Sequence, residues 1–367
     1  MTDRPRTLAE AKAFLHERLA TRRNPLEQVD QTAAAETIQR LEGLDGDRWA
    51  SAWSATAERF AAAADQAERQ GDASAAFQHR FQAYAFYALG RYPCPNHPAK
   101  QQCYERAVAT MRQLAPHFDP PVEIAKLPFE DRHVICYLRR PAGVSRPPVV
   151  MVWGGIDSWK EEALAQSQHF LEAGLAFVTT DMPGAGQSPV MGSEPDAERQ
   201  YTPVFEWLRT RSDVDGQRLA IVGRSFGGYW ATKLAHTHRQ YLRGAVSWGG
   251  GAHYMYQADW AEKSRYADSY LMELPETRGR MLGVASFEEY VHAFPKLSLL
   301  DRGILDQPSA PMLLVNGRAD TQVPIRDLYL LLEHGTPKQA RVFPGGHMGM
   351  TPQTWPTVVQ WVNSRLA

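Results

Sequence analysis

The stretch AIVGRSFGGYW (220–230) places Ser225 between Gly223 and Gly227, directly after an apolar run and directly before a segment of helical character. A turn this sharp, from strand into helix, holds a serine in a strained conformation with its hydroxyl at the sheet edge, and side chains two residues to either side would collide with neighbouring backbone. A serine hydroxyl is a weak nucleophile near neutral pH, so this reading demands a histidine base and an acid to orient it. Both occur later in the chain, in the order serine, acid, base. Asp320 lies in NGRADTQVP after the apolar run PMLLV, and His347 lies in PGGHMGM after the next one. Asp320 would accept the Nδ1 hydrogen of His347, leaving Nε2 to take the proton of Ser225. Asp301 and Asp306 are rival acids, read instead as surface residues or helix caps.

Attack on a carbonyl carbon creates an oxyanion, which needs fixed N–H donors. The residue after the nucleophile, Phe226, is expected to supply one. The loop in VVMVWGGIDSWKEE (149–162) is expected to supply the other, from Ile156 or Gly155. Trp153 and Arg224 flank these positions and are taken as candidate substrate contacts. The glycine-rich turn in TTDMPGAGQS (179–188) is read as structural.

These residues must be positioned by a scaffold. Beyond APHFDPPVE (115–123), short apolar or β-branched runs alternate with helical stretches: VICYLRR, PVVMVWG, LAFVTTD, RLAIVG, GAVSWG, PMLLVNG and ARVFPG are candidate strands. Amphipathic helices are expected at Lys160–Ala173, Glu198–Arg211 and Phe226–His238. The alternation predicts an α/β fold, a doubly wound and mainly parallel sheet covered on both faces. Residues 1–122, rich in Ala, Glu, Gln and Arg with aromatics at helical spacing, are expected to form a helical domain. The prolines of APHFDPPVE mark its end. The α/β core would occupy 123–367, interrupted at about 253–306 by an inserted helical cap without strands.

With 40 basic and 41 acidic side chains and no block of either sign, the chain shows no footprint for nucleic acid, and a small-molecule substrate is expected. Its opening residues lack the apolar core of a signal peptide, and no run of about 18 uncharged apolar residues occurs. A cytoplasmic protein without membrane association is therefore expected. Cys94, Cys103 and Cys136 have neither disulfide nor zinc spacing, and His236 and His238, two apart on a helix, cannot share an ion, so no metal is expected. No G-x-G-x-x-G follows the first core strand, so no nicotinamide or flavin cofactor is expected. The helical half is expected to serve as a homodimer surface.

The triad motifs and their order resemble the α/β-hydrolase superfamily. The helical front half, the GGIDSWKEE loop and the arginine-bearing GRSFGG turn resemble, more narrowly, the branch of FrsA-like esterases and 2,6-dihydroxypseudooxynicotine hydrolase, with fungal hydrolases that shorten polyketide pigment precursors. That resemblance implies the same triad, Ser225, Asp320 and His347. It also implies either ester cleavage or carbon–carbon cleavage beside a ketone. The second needs an extra acid to protonate the departing carbon, which His253, Tyr254, Tyr256, Asp259 or Trp260 of the cap would have to supply. His253, Tyr254, Tyr256 and Trp260 are also taken as candidate substrate contacts. The leading expectation is an acyl-enzyme esterase acting on a medium-sized aromatic or polyketide-like substrate. The alternatives are a C–C hydrolase of a β-diketone or aryl ketone, and a non-catalytic scaffold that binds a partner.

Overall fold

The computed structural model describes residues 4–367, which divide into two compact units. One comprises the N-terminal residues through Val122 together with Tyr270–Thr277; the other comprises Glu123–Ser269 and Arg278–Ala367.

The first unit is helical: α1 (Leu8–Ala20), α2 (Gln31–Arg40), α3 (Gly46–Arg69), α4 (Ala73–Arg91) and α5 (Pro98–Leu114). Thr7, Asp30, Asp45 and Asp72 start α1 to α4 by accepting a backbone N–H from the first turn, which satisfies a donor that has no acceptor within the helix. Trp49 and Trp53 of α3 are fully buried, and Trp53 stacks on Phe86 of α4 at 6.1 Å. Phe77 and Phe81, one helical turn apart, both pack against Phe118. Tyr270–Thr277, inside the interval read as a cap, belongs to this unit. There Glu273 accepts hydrogen bonds from the fully buried Lys100 at 2.7 Å and from Asn96 at 3.1 Å.

The second unit is built on an eight-stranded sheet: β1 (Glu123–Phe129), β2 (Arg132–Arg139), β3 (Pro148–Trp153), β4 (Ala176–Thr180), β5 (Asp215–Arg224), β6 (Gly244–Trp248), β7 (Met312–Gly317) and β8 (Gln339–Phe343). Their spatial order is β1-β2-β4-β3-β5-β6-β7-β8. The pairs β1–β2 and β2–β4 are antiparallel and the rest parallel. Every residue of β4, β6 and β7 is buried, as strands covered on both faces must be. Strand β1 was not among the expected strands, because Lys126 and Pro128 break its apolar pattern. It is tolerated because β1 lies at the sheet edge, where the N–H that Pro128 lacks is least needed. Between β6 and β7 there is no strand; the interval holds the short helices Ala258–Lys263, Leu274–Leu282 and Phe287–Ala293 and the single helical turns Tyr254–Tyr256 and Phe294–Leu297.

The helix Phe226–Thr237 departs from its amphipathic expectation: every residue from Phe226 to His236 is buried. Its outer side is covered too. Tyr229 meets Tyr256 at 5.3 Å, the Ala235 carbonyl accepts from Ala310 N, and the Lys233 ammonium pairs with Glu198. Among the described residues, no helix is long and apolar enough to cross a membrane, and no group of metal-ligating side chains assembles.

His236 donates Nδ1–H to the Gln307 carbonyl at 2.8 Å, and burial lowers its pKa from the ordinary 6.5 to about 4. The folded protein therefore keeps this imidazole neutral where the unfolded chain would protonate it. Stability from this source is complete above pH 6.5 and declines as pH falls towards about 4. Urea denaturation is expected to show a lower midpoint near pH 5 than at pH 7, with a smaller drop in His236→Asn; an equal drop in both would show that other groups govern the acid sensitivity.

Candidate active site

Strand β5 runs straight into Ser225, whose backbone has φ 53° and ψ −124°, a region that non-glycine residues occupy only under constraint. The constraint is steric and hydrogen-bonded. A Cβ on Gly223 would lie 1.9 Å from the Gly227 carbonyl oxygen, and one on Gly227 would lie 2.4 Å from that of Gly154. The Ser225 N–H is donated to Trp248 O, at the end of β6, at 2.7 Å. Phe226 to Trp230 are buried while Ser225 keeps partial exposure, so the turn presents its hydroxyl and hides the first turn of the helix behind it.

His347 reaches this hydroxyl from the loop after β8, with Nε2 2.7 Å from Ser225 Oγ and Nδ1 2.7 Å from Asp320 Oδ2. Met348 bends the loop with φ 65°, and its carbonyl accepts the Trp248 indole N–H at 2.7 Å. Burial alone would raise the Asp320 pKa, but the imidazole of His347 and the N–H groups of Gln322 and Val323 outweigh it and hold the pKa below the ordinary carboxylate value. An ionised Asp320 can only accept, so Nδ1 carries the hydrogen and Nε2 is left to accept from Ser225. Asp301 and Asp306 lie elsewhere: Asp306 is bonded to His334 at 3.1 Å, and Asp301 stands 3.6 Å from His253.

Two buried groups hold this geometry from behind, and neither stood out in the sequence. Asn316, at the end of β7, donates Nδ2–H to Asp320 Oδ2 at 3.0 Å while its Oδ1 accepts from Gly317 N and Met348 N. It thereby joins the acid loop to the histidine loop; its place four residues before Asp320 at a strand end was the one available signal. The other group anchors the loop after β3. Lys160 is fully buried, with Nζ 2.7 Å from Asp181 Oδ2 and 2.6 Å from Glu161 Oε1. Asp181 also accepts from the N–H groups of Lys160 and Gln187, and Tyr137 donates to Glu161. Burial alone would lower the Lys160 pKa, but the two carboxylates raise it, so the ammonium stays charged. The turn containing Pro183, Gly184 and Gly186 wraps this ion cluster, and a Cβ on Gly186 would strike the Asp181 carboxylate.

The loop so anchored brings Gly155 against the serine: a Cβ there would lie 3.0 Å from Ser225 Cβ and 3.2 Å from Oγ. Ile156 is fixed by its carbonyl, which accepts the Trp159 indole N–H at 2.9 Å. Phe226 opens its helix, where a backbone N–H has no acceptor within the helix. Gly155 and Phe226 thus adjoin Ser225, and Ile156 follows Gly155 in the same loop.

The residues named as substrate contacts have partners inside the protein. Trp153 is buried, donates to Gly227 O at 2.9 Å and stacks on Tyr201. The Arg224 guanidinium lies over the rings of Trp248 and Trp355 at 5.4 and 5.3 Å. His253 Nδ1 is 2.7 Å from Ser298 Oγ, and Tyr254 lies beneath Arg326. Trp260 donates to the Gln322 carbonyl at 3.0 Å, tying its helix to the acid loop. Tyr256 is fully buried against Phe226, Tyr229 and Phe294.

Replacing Asn316 by Ala leaves two loop N–H groups without their acceptor and Asp320 Oδ2 with His347 alone, at a cost of about 1–3 kcal/mol. Loss of register between Asp320 and His347 is expected to slow phosphonylation of Ser225 by a fluorophosphonate by about tenfold or more. Second-order labelling rates check this, and a wild-type rate in Asn316→Ala would relegate Asn316 to packing.

Comparison with known proteins agrees with this architecture. The family model described as Esterase FrsA-like matches residues 26–366. The 2,6-dihydropseudooxynicotine hydrolase of Paenarthrobacter nicotinovorans is 28% identical over 244 residues, 64% of this chain and 60% of that hydrolase, so the match spans less than two thirds of its length. Esterase FrsA of Photobacterium profundum is 24% identical over 353 residues, 90% of this chain and 80% of the relative. The crystal structure of 2,6-dihydroxy-pseudo-oxynicotine hydrolase superposes with a TM-score of 0.78 at 22% identity, covering 97% of this chain and 95% of that one, and shares the fold. With a mostly parallel eight-stranded sheet, a helical N-terminal region and a family match over nearly its whole length, the chain belongs to the FrsA-like esterase family of α/β-hydrolases.

Proposed function

We propose that this hydrolase cleaves a carboxylic ester through an acyl-enzyme on Ser225, with His347 as base and Asp320 as its orienting acid. The observation that carries the reading is the unbroken chain of two 2.7 Å contacts from Ser225 Oγ through His347 to Asp320. Oγ attacks the ester carbonyl carbon as its proton passes to His347 Nε2. The carbonyl oxygen becomes an oxyanion, for which the N–H groups of Phe226 and of Gly155 or Ile156 are the donors. Collapse of the tetrahedral adduct breaks the bond to the alcohol oxygen, which leaves with the proton from Nε2. Water then repeats the sequence on the acyl-serine, releasing the acid and restoring Ser225. Asp320 remains ionised throughout and stabilises the imidazolium.

Ester cleavage is favoured over carbon–carbon cleavage by the engagement of two of the candidate acids, His253 and Trp260, with partners in the fold. An alkoxide can be protonated by His347 itself, whereas a departing carbanion requires a further acid beside it. His253 has Nδ1 against Ser298, and Trp260 has its N–H on Gln322 O. The aromatic ring of Phe226 and the rings packed around it support an aryl or polyketide-like acyl group as the substrate.

Wild-type protein is expected to gain one fluorophosphonate adduct by intact mass, lost in Ser225→Ala, together with a fall in aryl-ester turnover of about 10⁴-fold or more. Cleavage of a matched β-diketone at a rate equal to the ester would transfer the assignment to carbon–carbon hydrolysis, and absence of any adduct on folded protein would remove it.

A further inference from the structure

The cap carries a charge that the proposed reaction does not use. Arg278 is only 2% exposed, yet no carboxylate lies within ion-pair distance of it among the described residues. Its Nη1 donates to two neutral hydroxyls, Ser264 Oγ at 3.2 Å and Tyr290 OH at 3.1 Å, while Nε has no partner. Burial raises the pKa of the Tyr290 phenol, so it does not offer a phenolate as counter-charge near neutral pH. The fully buried lysines of this unit, by contrast, are matched: Lys160 has Asp181 and Glu161, and Lys233 has Glu198. A guanidinium withdrawn from water without an anion is costly, and it is retained where something supplies the anion.

A second group beside it is also unsatisfied. Among the described residues, the hydroxyl of the fully buried Tyr256 has no hydrogen-bond partner. The two are joined by one ring: Phe294 lies 5.3 Å from the Arg278 guanidinium carbon and 4.9 Å from the Tyr256 ring centroid. Phe294 and Tyr256 in turn pack on Phe226, at 6.5 and 6.1 Å, and Phe226 adjoins Ser225. An unpaired cation and an unpaired hydroxyl therefore share an aromatic cluster that ends at the residue next to the candidate nucleophile.

We propose that Arg278, with Tyr256, binds a carboxylate on the acyl portion of the substrate, so that the preferred esters are anionic aryl or polyketide-type acids rather than neutral ones. This rests on the Ser225 hydrolase reading and narrows its substrate class. A guanidinium can grip the two oxygens of a carboxylate through its unengaged edge, and the Tyr256 hydroxyl adds a third hydrogen bond. A neutral ester would leave the guanidinium uncompensated, which is what makes the discrimination large.

The test uses mono-4-nitrophenyl terephthalate and its neutral methyl ester, which differ in one carboxylate too distant to attack the scissile carbonyl. In wild-type protein kcat/KM is expected to favour the anionic ester. In Arg278→Met it should fall by about tenfold or more for the anion and by less than about twofold for the neutral ester, with Arg278→Lys between them. Terephthalate should slow fluorophosphonate labelling of wild-type Ser225 and not that of Arg278→Met. Wild-type preference for the neutral ester, or an equal loss on both substrates in both variants, would overturn the proposal and leave Arg278 a structural tie between Ser264 and Tyr290. Should either variant fail to fold, the wild-type preference and the terephthalate protection decide the matter. Failure of the hydrolase reading is separately visible: Ser225 would then take no label, and calorimetric titration of terephthalate into wild type and Arg278→Met would still test the carboxylate site.

Discussion

The turn at Ser225 is the constraint on which the rest of the site depends. A residue with a side chain sits at φ 53° because β5 enters from one side, the helix Phe226–Thr237 leaves from the other, and Gly223 and Gly227 permit the two to approach. Strain of this kind, on the order of 1–3 kcal/mol, persists only where the surroundings over-determine it. Here they do: the N–H of Ser225 is bound to β6, the helix behind is buried throughout its first three turns, and Trp153 closes on Gly227 from β3. The strain is therefore borne by the middle of the parallel part of the sheet.

Around that point, each loop is fixed by a different device suited to its composition. The acid and histidine loops are short and polar, and one amide, Asn316, satisfies groups on both at once. The loop after β3 leads into a helix that opens with charge turned inward, and the ammonium of Lys160 between two carboxylates holds it. A buried ion cluster of this kind contributes little net stability beyond what well-packed apolar groups would give, but it specifies one arrangement, because any other leaves a charge unpaired. Both devices convert flexible loops into parts of the scaffold without crowding the hydroxyl of Ser225.

The segment between β6 and β7 follows a different logic. Its aromatics mostly face one another: Tyr256, Phe294, Tyr290 and Tyr229 form a continuous cluster with Phe226. The chemistry-bearing side chains singled out there from sequence, His253 and Trp260, direct their polar atoms to neighbours in the fold. Arg278 and the hydroxyls of Tyr256 and Tyr229 are instead buried with hydrogen-bonding capacity to spare.

The residues of the candidate triad, their chain order and the strands that carry them were legible from the sequence, because a serine between glycines after an apolar run, and an acid and a histidine each after a later one, are local patterns with steric causes. The mainly parallel sheet was legible for a similar reason: strands buried on both faces must be apolar throughout, and such runs are conspicuous. Strand β1 escaped because an edge strand needs neither continuous apolarity nor every N–H, so Lys126 and Pro128 are permitted there. Buriedness on all sides of Phe226–Thr237 escaped because it depends on what the cap and Glu198 bring to its outer face. Asn316, Lys160 and Arg278 escaped for the deepest reason. A polar side chain acquires its role from whichever partners the fold sets opposite it, and for Asn316 and Lys160 these include Met348 and Asp181, tens of residues away, while for Arg278 they include no anion among the described residues. Local sequence determined which residues have the chemistry; only the tertiary structure decided which of them are satisfied and which are left waiting for a ligand.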